Sequence, residues 1–240
     1  FADFGADVIK VEQPVTGDPA RGNGPFLTKD ADGKQSAAER QGDNTYSSYF
    51  MSINRGKRSI AIDLSKPKGR DLLLDLAEKA DVLVENFRPG TASRLGIDPR
   101  TLRKENPSLI TCSITGFGPL KAYAHLKGYE GIVAAKSGRF MSFAGQSRTQ
   151  REGPHYSAVQ VGSHGAGMAL VRGISAGLLL RDQTGVGQEV ETTLVQNMAQ
   201  YDFRDVIIWQ LMVTYPELFP EDPWGGLTRQ PTPGYMPIRT

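Results

Sequence analysis

Short apolar runs alternate with helix-like segments along the first half of the chain. The clearest run is VLV at residues 82–84, which is β-branched at two of three positions and suits a parallel strand buried on both faces. Comparable runs lie at residues 7–12, 59–64 and 109–114, and a stripe of leucines with helical spacing follows Lys66. The alternation predicts an α/β fold in which helices flank a Rossmann-like, mainly parallel sheet with right-handed crossovers.

Two other segments are interpreted from their periodicity and their glycines. Residues 21–44 are polar, rich in glycine and lysine and aperiodic, which predicts a long surface loop. A long helix is predicted to follow Gly162 and to end near Arg181. Its predicted buried side consists of Met168, Leu170, Val171, Ile174 and Leu178. Because the glycines in this helix lower its helix propensity, we expect tight packing against another element to compensate.

Polar residues crowd the carboxyl end of the 82–84 run. Glu85, Asn86, Phe87 and Arg88 come directly before a Pro-Gly break. Ligands of open α/β sheets bind outside the carboxyl ends of the strands, so these residues are candidates for a binding site. That Asn86 and Arg88 only close a turn is an equally good interpretation.

Composition sets broad limits on function. The chain has 240 residues, of which 39% are hydrophobic and 22% charged, and this describes one large domain or one and a half with an ordinary core. A formal charge of +2 gives no reason to expect nucleic acid or membrane partners. Cys112 is the only cysteine and the histidines share no metal-ligand spacing, so neither a disulfide nor a metal site is expected. Without an apolar run long enough to span a bilayer or a visible signal peptide, the cytoplasm is the expected compartment, although the first residue is Phe1.

Six strings, in order, resemble the family III CoA-transferases, the group that includes formyl-CoA transferase, carnitine CoA-transferase and α-methylacyl-CoA racemase. They are GADVIKVEQP (residues 5–14), NRGKRSIAIDL (54–64), ADVLVENFRPG (80–90), RLG (94–96), SITGFG (113–118) and TGVGQEVE (184–191). The resemblance implies a Rossmann-like large domain over residues 1–200, then a linker and the start of a smaller domain over residues 201–240. It also implies that a strand and helix precede Phe1, that a further part follows Thr240, and that two chains interlock as a homodimer or as a heterodimer with a related chain.

The resemblance also assigns roles along the sheet edge. Coenzyme A, free or as an acyl-CoA, is then a substrate that exchanges with a carboxylic acid, and no permanently bound cofactor is expected. Asn86 and Phe87 match positions that touch the CoA, and Lys127 matches a lysine beside its pantetheine. Arg94 matches an arginine near the phosphates, and an arginine near a helix start can offer a planar fork to phosphate.

The main departure from the family is at the nucleophile. Family transferases use an aspartate that attacks the thioester, and this sequence has Ser163 at the matching place. Serine is a neutral alcohol that needs an adjacent base, and it is also one of the best helix N-caps, so a capping role is the alternative. His164 is the next residue and is a candidate for that base, although neighbouring residues at a helix start point in different directions, so it need not act as one. Glu130 matches an acid with a supporting role in proton transfer or positioning.

Three classes of function follow. The first is an acyl-CoA enzyme, either a CoA-transferase acting between carboxylic acids or a racemase or isomerase acting at the α-carbon. The second is a catalytically impaired paralogue that binds CoA or serves as a partner subunit. The third, a nucleotide-dependent oxidoreductase, lacks the G-x-G-x-x-G fingerprint after a first strand.

Overall fold

The computed structural model describes residues 1–29, 35–38, 45–119, 121–123, 125–142, 159–201 and 203–218. The chain divides into two compact units, the first comprising Phe1–Lys79 with Leu95–Ile97 and the second Ala80–Arg94 with Asp98–Thr240. The domain boundary expected at residue 200 stays a prediction, and residues 219–240 lie outside the described residues.

The first unit contains a parallel strand pair. Strand β1 (Val8–Glu12) pairs with β5 (Lys57–Ala61), in a register that runs from Val8 opposite Lys57 to Glu12 opposite Ala61. Helix α2 (Pro67–Glu78) follows with proline in its first turn, where the missing N–H costs nothing. Its buried residues are Leu73 and Ala77, whereas Leu72 is exposed.

The loop predicted over residues 21–44 is wrong at residues 26–29 and 35–38, which are strands, and residues 30–34 and 39–44 lie outside the described part of the chain. Strand β2 (Phe26–Lys29) pairs antiparallel with both β3 (Gln35–Ala38) and β4 (Thr45–Ser47), and helix α1 (Ser48–Ile53) follows. Strands of three or four mostly polar residues are held by main-chain hydrogen bonds and leave no hydrophobic alternation in the sequence. Ser47 joins this sheet to the helix, because its Oγ accepts from the N–H of Phe50 at 3.0 Å.

A buried carboxylate ends β1. Glu12 is 7% exposed and accepts two hydrogen bonds of 2.8 Å from the Arg21 guanidinium, one of 2.7 Å from Ser59 Oγ and one of 2.9 Å from the Asp18 N–H. The guanidinium also stacks over the Phe50 ring, 3.9 Å from its centroid. These donors, the Arg21 side chain first, lower the pKa of Glu12 to about 2 against the opposing effect of burial.

The Glu12 cluster predicts acid sensitivity. The folded carboxyl has a pKa of about 2 and the unfolded one a pKa of 4.5, so the unfolded chain takes up the proton first. The stabilisation is therefore complete above about pH 5 and is lost as the pH falls toward the folded pKa. We expect Glu12→Gln to lower the free energy of unfolding by roughly 2 kcal/mol at neutral pH and by much less near pH 3. Urea denaturation at both pH values measures this, with the exposed Glu105→Gln as control, and an equal loss at both would contradict it.

The second unit is built on three parallel strands in the order β6 (Val82–Glu85), β7 (Ile110–Thr115) and β8 (Glu189–Thr193). Its helices are α3 (Thr91–Leu95), α4 (Pro99–Glu105), α5 (Glu130–Lys136), α6 (Arg139–Ser142), α7 (Val161–Thr184), α8 (Leu194–Tyr201) and α9 (Phe203–Thr214). The predicted α/β class with parallel sheets is confirmed, although the parallel strands form two separate sheets. The expectation that β6 is buried on both faces is wrong, because it lies at the edge of its sheet and Val84 is 51% exposed.

Helix α7 covers β7 and β8. Leu170 and Ile174 are buried against Ile110 and Cys112, whereas the predicted core residue Met168 is 59% exposed. Burial raises the pKa of the Cys112 thiol to about 12, so this cysteine is inert at neutral pH. Within the described part of the chain, no helix has both the length and the apolar character needed to cross a membrane.

The glycines of α7 allow its close approach to neighbouring elements. A Cβ on Gly173 would lie 2.5 Å from Val190 Cγ1, and one on Gly165 would lie 3.0 Å from Asn197 Cβ. A Cβ on Gly177 would lie 3.3 Å from Ile110 Cδ1. The expected tight packing is thus confirmed at these positions, but not at Gly167, where a Cβ would meet nothing within 4 Å.

Candidate active site

A cavity of about 370 Å³ lies at the carboxyl ends of β6, β7 and β8. It is lined by Asn86, Phe87, Arg88, Pro89, Ile114, Thr115, Gly116, Phe117, Gly118, Tyr123, Leu126, Lys127, Gly128, Tyr129, Ser163 and Leu194. This edge is where open parallel sheets bind ligands. The cavity is therefore the first candidate for a functional site in the second unit.

The sequence-predicted residues fall into two groups. The lining includes Asn86, Phe87, Lys127 and Ser163, which come from three distant parts of the chain. Glu130 and His164 do not line the cavity, but each is the next residue in sequence after one that does. Arg94 also lies outside the lining: it belongs to α3, where its Nη2 is 3.5 Å from Thr91 Oγ1.

The turn after β6 is closed by the Glu85 side chain and by the main chain of Arg88. The Glu85 carboxylate accepts from the N–H of Phe87, and the Arg88 carbonyl accepts from the N–H of Thr91 at 3.0 Å. The side chains of Asn86 and Arg88 are exposed at the cavity. These two side chains can therefore contact a ligand without opening the turn.

Two main-chain segments touch at one wall of the cavity. A Cβ on Gly116, after β7, would lie 2.5 Å from Gly128 Cα, so only glycine allows this approach. The Gly116 carbonyl also accepts from the N–H of Val195 in α8, at 3.1 Å. Phe117 is nearly buried beside these glycines, with its ring centroid 5.4 Å from that of Tyr123. The wall is therefore held by backbone contacts and by an apolar cluster behind them.

The lining carries positive charge. Among the described residues that line the cavity, Arg88 and Lys127 are cations and none is a carboxylate. Both side chains are exposed, and Lys127 Nζ lies 6.0 Å from the centroid of the Tyr129 ring. A cavity with cations at its walls attracts anionic ligands, including phosphates and carboxylates.

Glu130 is bonded to the first turn of α7. Its Oε1 accepts from the N–H of Gly162 at 2.8 Å, and its Oε2 accepts from the N–H of Ser163 at 2.8 Å and from Ser163 Oγ at 2.7 Å. A carboxylate is favoured at the positive end of a helix, where it satisfies N–H groups that have no partner within the helix. Glu130, which begins α5, thus caps α7.

The capping role considered for Ser163 is wrong. Helix α7 begins at Val161, so Ser163 lies inside the first turn, and the flanking Gln160 makes no side-chain capping bond. The acceptor comes instead from Glu130, more than thirty residues earlier in the chain. No local pattern in the sequence indicates such a distant cap.

His164 does not face the Ser163 hydroxyl. Its Nδ1 lies 2.7 Å from the carbonyl of Gln160, one turn back along α7. This contact holds the ring against its own helix and leaves Glu130 as the group bonded to Ser163 Oγ. In the described part of the chain, no cluster of three or more His, Cys, Asp or Glu side chains could hold a metal ion.

The sequence interpretation missed several lining residues. Tyr123 and Leu126 precede Lys127, and Leu194 is the first residue of α8 directly after β8. Leu194 could have been found by the rule that ligands bind outside the carboxyl ends of parallel strands, which pointed to Asn86 after β6 and applies equally to the end of β8. It was missed because residues 189–194 show neither a continuous apolar run nor a helical stripe.

The sequence of this chain matches the model of CoA-transferase family III over residues 1–213. The chain belongs to this family. Among curated relatives, it is 41% identical over 195 residues to the succinate–glutarate CoA-transferase of Agrobacterium fabrum, covering 81% of this chain and 46% of the relative. It is 38% identical over 209 residues to the formyl-CoA:oxalate CoA-transferase of Bradyrhizobium diazoefficiens, covering 85% and 44%. It is 37% identical over 234 residues to the succinyl-CoA:mesaconate CoA-transferase of Haloarcula hispanica, covering 92% and 55%.

Solved structures of the family agree with this assignment. A CAIB/BAIF family protein from Brucella suis superposes with a TM-score of 0.69 at 35% identity, covering 90% of this chain and 51% of that protein. The protein Rv3272 from Mycobacterium tuberculosis superposes with a TM-score of 0.70 at 30% identity, covering 87% and 53%. The chain spans about half the length of the family III relatives it matches.

Proposed function

We propose that this chain forms the CoA-binding and reacting part of a CoA-transferase that moves coenzyme A between carboxylic acids. The observation that carries the proposal is the cation-lined cavity at the carboxyl edge of the parallel sheet in a member of family III. Acyl-CoA is then a substrate and no permanently bound cofactor is needed. The names of the three relatives describe exchange with succinate, glutarate, oxalate or mesaconate, which makes dicarboxylic acids the first acceptors to test.

The residues of the cavity suit such a ligand. Asn86 offers an amide at the end of β6, and Phe87 beside it offers an aromatic face. Lys127 supplies charge next to Tyr129, on the side proposed for the pantetheine. Arg94 stays a proposed phosphate contact outside the cavity lining.

Ser163 supports a second candidate function. Resemblance to the family implies an aspartate nucleophile at this position, and an alcohol cannot form the acyl anhydride by which a carboxylate activates the next step. The chain would then be an impaired CoA-binding paralogue, or a subunit paired with an active related chain. Pairing with a second family III chain, identical or related, belongs to either proposal, and we keep the cytoplasm as the proposed compartment.

CoA binding tests the proposal. We expect isothermal titration of the purified chain with CoA to give saturable binding that weakens with added salt, because charge attracts the phosphates. Lys127→Ala should weaken binding roughly tenfold, whereas Lys104→Ala, which changes an exposed lysine of α4, should leave it unchanged.

The same sample gives the oligomeric state. Light scattering should report the mass of two chains if identical chains interlock, and a CoA-binding single chain would contradict the homodimer. Absence of CoA binding, or equal effects of the two lysine variants, would contradict the proposed use of the cavity.

A further inference from the structure

The Ser163–Glu130 pair has the arrangement of an alcohol with a general base. Ser163 is exposed at the cavity, and its Oγ lies 2.7 Å from Glu130 Oε2. An ionised carboxylate only accepts hydrogen bonds, so the hydroxyl proton points at Oε2. The base therefore contacts the proton that must leave when Oγ attacks a carbonyl, which is the geometry that general-base catalysis requires.

The other candidate groups among the described residues near the cavity do not share this arrangement. Thr115 Oγ1 also lines it, but accepts from the N–H of Gly118 at 3.0 Å and so supports the turn after β7. His164 Nδ1 is engaged with the Gln160 carbonyl. Cys112 is buried, and burial raises the pKa of its thiol to about 12. Ser163 is therefore the nucleophile that the described geometry favours.

A serine ester directs the chemistry toward water. In the first step Ser163 Oγ bonds to the acyl carbon of an acyl-CoA, the C–S bond breaks, and the hydroxyl proton passes through Glu130 to the CoA thiolate. An acceptor acid cannot continue CoA transfer from this ester. Its carboxylate does not displace the Ser163 alkoxide from the acyl carbon, so no new CoA thioester forms. Water can displace that alkoxide: Glu130 takes a proton from water, the water oxygen bonds to the acyl carbon, the bond between that carbon and Ser163 Oγ breaks, and the proton returns to Oγ as the carboxylic acid leaves.

We propose that this chain hydrolyses acyl-CoA thioesters, with Ser163 as nucleophile and Glu130 as general base. The balanced reaction converts acyl-CoA and water into a carboxylic acid and free CoA. The hydrolase proposal rests on the proposed function in one respect only, namely that the cavity must bind acyl-CoA. It goes beyond that function because it gives the second candidate, a chain impaired in CoA transfer, a reaction in which no acceptor acid takes part.

Thiol release from succinyl-CoA without an acceptor acid tests the proposal. We expect steady release by the purified chain and a loss on the order of a hundredfold or more in Ser163→Ala. Ser175→Ala, the same change at an exposed position further along α7, is the matched control and should keep the parent rate. Mass spectrometry after rapid acid quenching should find the succinyl group on the peptide that contains Ser163.

Glu130 also caps α7, so a loss of activity in a Glu130 variant does not by itself distinguish a missing base from a disturbed fold. We therefore compare Glu130→Gln in the parent and in Ser163→Cys, with circular dichroism to check folding. A thiol is a stronger nucleophile that depends less on a base, so the Glu130→Gln loss should be much smaller in the cysteine background. Equal losses in both backgrounds would make Glu130 structural and overturn its role as base.

The titration with CoA separates the two proposals. CoA binding without thiol release, or release that survives Ser163→Ala, overturns the hydrolase and leaves the CoA site standing. Absence of CoA binding overturns the proposed function itself. Release that depends on Ser163, with the succinyl group on its peptide, supports the hydrolase.

Discussion

Ser163→Asp is expected to raise CoA transfer from succinyl-CoA to glutarate by about a hundredfold or more, because the loss of a catalytic nucleophile typically costs at least that much. The introduced carboxylate can attack the thioester, with loss of the CoA thiolate, and form an acyl anhydride; the thiolate then attacks the aspartyl carbon, which gives an aspartyl thioester and releases succinate. The acceptor acid then exchanges with the resulting aspartyl thioester by the reverse steps. The variant then gives succinate and glutaryl-CoA, in place of the succinate and free CoA of the proposed hydrolysis.

The geometry allows this change. Ser163 lies on the cavity, so the extra atoms can extend into open space. The helix start does not depend on this side chain, since Glu130 holds the N–H groups of Gly162 and Ser163. One opposing effect arises, because the new carboxylate would lie close to Glu130, and two like charges at this distance disfavour full ionisation. We therefore expect transfer to increase with pH over the acidic range.

Ser163→Asn is the control, because it has nearly the shape of aspartate without its charge. Chromatographic detection of glutaryl-CoA measures transfer, and hydroxylamine trapping with peptide mapping locates the acyl group. Equal transfer by the aspartate and asparagine variants, or robust transfer by the parent, would show that position 163 does not supply the nucleophile.

Gly187→Ala is expected to lower the free energy of unfolding by roughly 3 kcal/mol or more. A Cβ there would lie 2.1 Å from the Leu109 carbonyl oxygen and 2.7 Å from the Ser108 carbonyl carbon. Both are main-chain atoms that cannot rotate away, so β8 must shift relative to β7. The Gly187 N–H also donates to the Pro107 carbonyl at 2.8 Å, and this bond would be lost in the shift. Because β8 leads into Leu194 at the cavity, CoA binding should fall as well.

Gly167→Ala is the matched control for this prediction. It introduces the same methyl group inside α7, where a Cβ would meet nothing within 4 Å. Alanine there should raise the free energy of unfolding by about 0.5–1 kcal/mol, since glycine costs about that much inside a helix. Urea denaturation followed by circular dichroism measures both variants. A lower free energy of unfolding in both variants, or in neither, would contradict the packing described around Gly187.

The sequence predicts elements well where a continuous apolar run or a helical stripe marks them. Strands β1, β6 and β7 and helix α2 lie within a few residues of their expected places. Strands β2, β3 and β4 were missed because their pairing is made by the main chain and not by apolar side chains. Met168 was misplaced because helical spacing gives the period of an apolar stripe but not how much of it a neighbouring element covers.

The sequence predicted that the candidate site lies at the carboxyl edge of the parallel sheet, but not which side chains contact one another there. Strand ends and family resemblance together led to Asn86, Lys127 and Ser163, which the structure brings to one cavity. The bond from Glu130 to α7 joins residues far apart in the chain, and local patterns carry no information about such pairs. The roles in CoA binding and catalysis stay predictions until the measurements above are made.

The capping of α7 by Glu130 has an evolutionary consequence. Two of the three hydrogen bonds that Glu130 accepts here come from backbone N–H groups, which every residue type except proline provides, so these two do not depend on the side chain at position 163. Mutations at this position can therefore exchange one nucleophile for another while the scaffold around it stays in place. Lineages that share the scaffold are free to diverge in reaction type through single substitutions here, and protein engineers can use the same position to install new reactive groups.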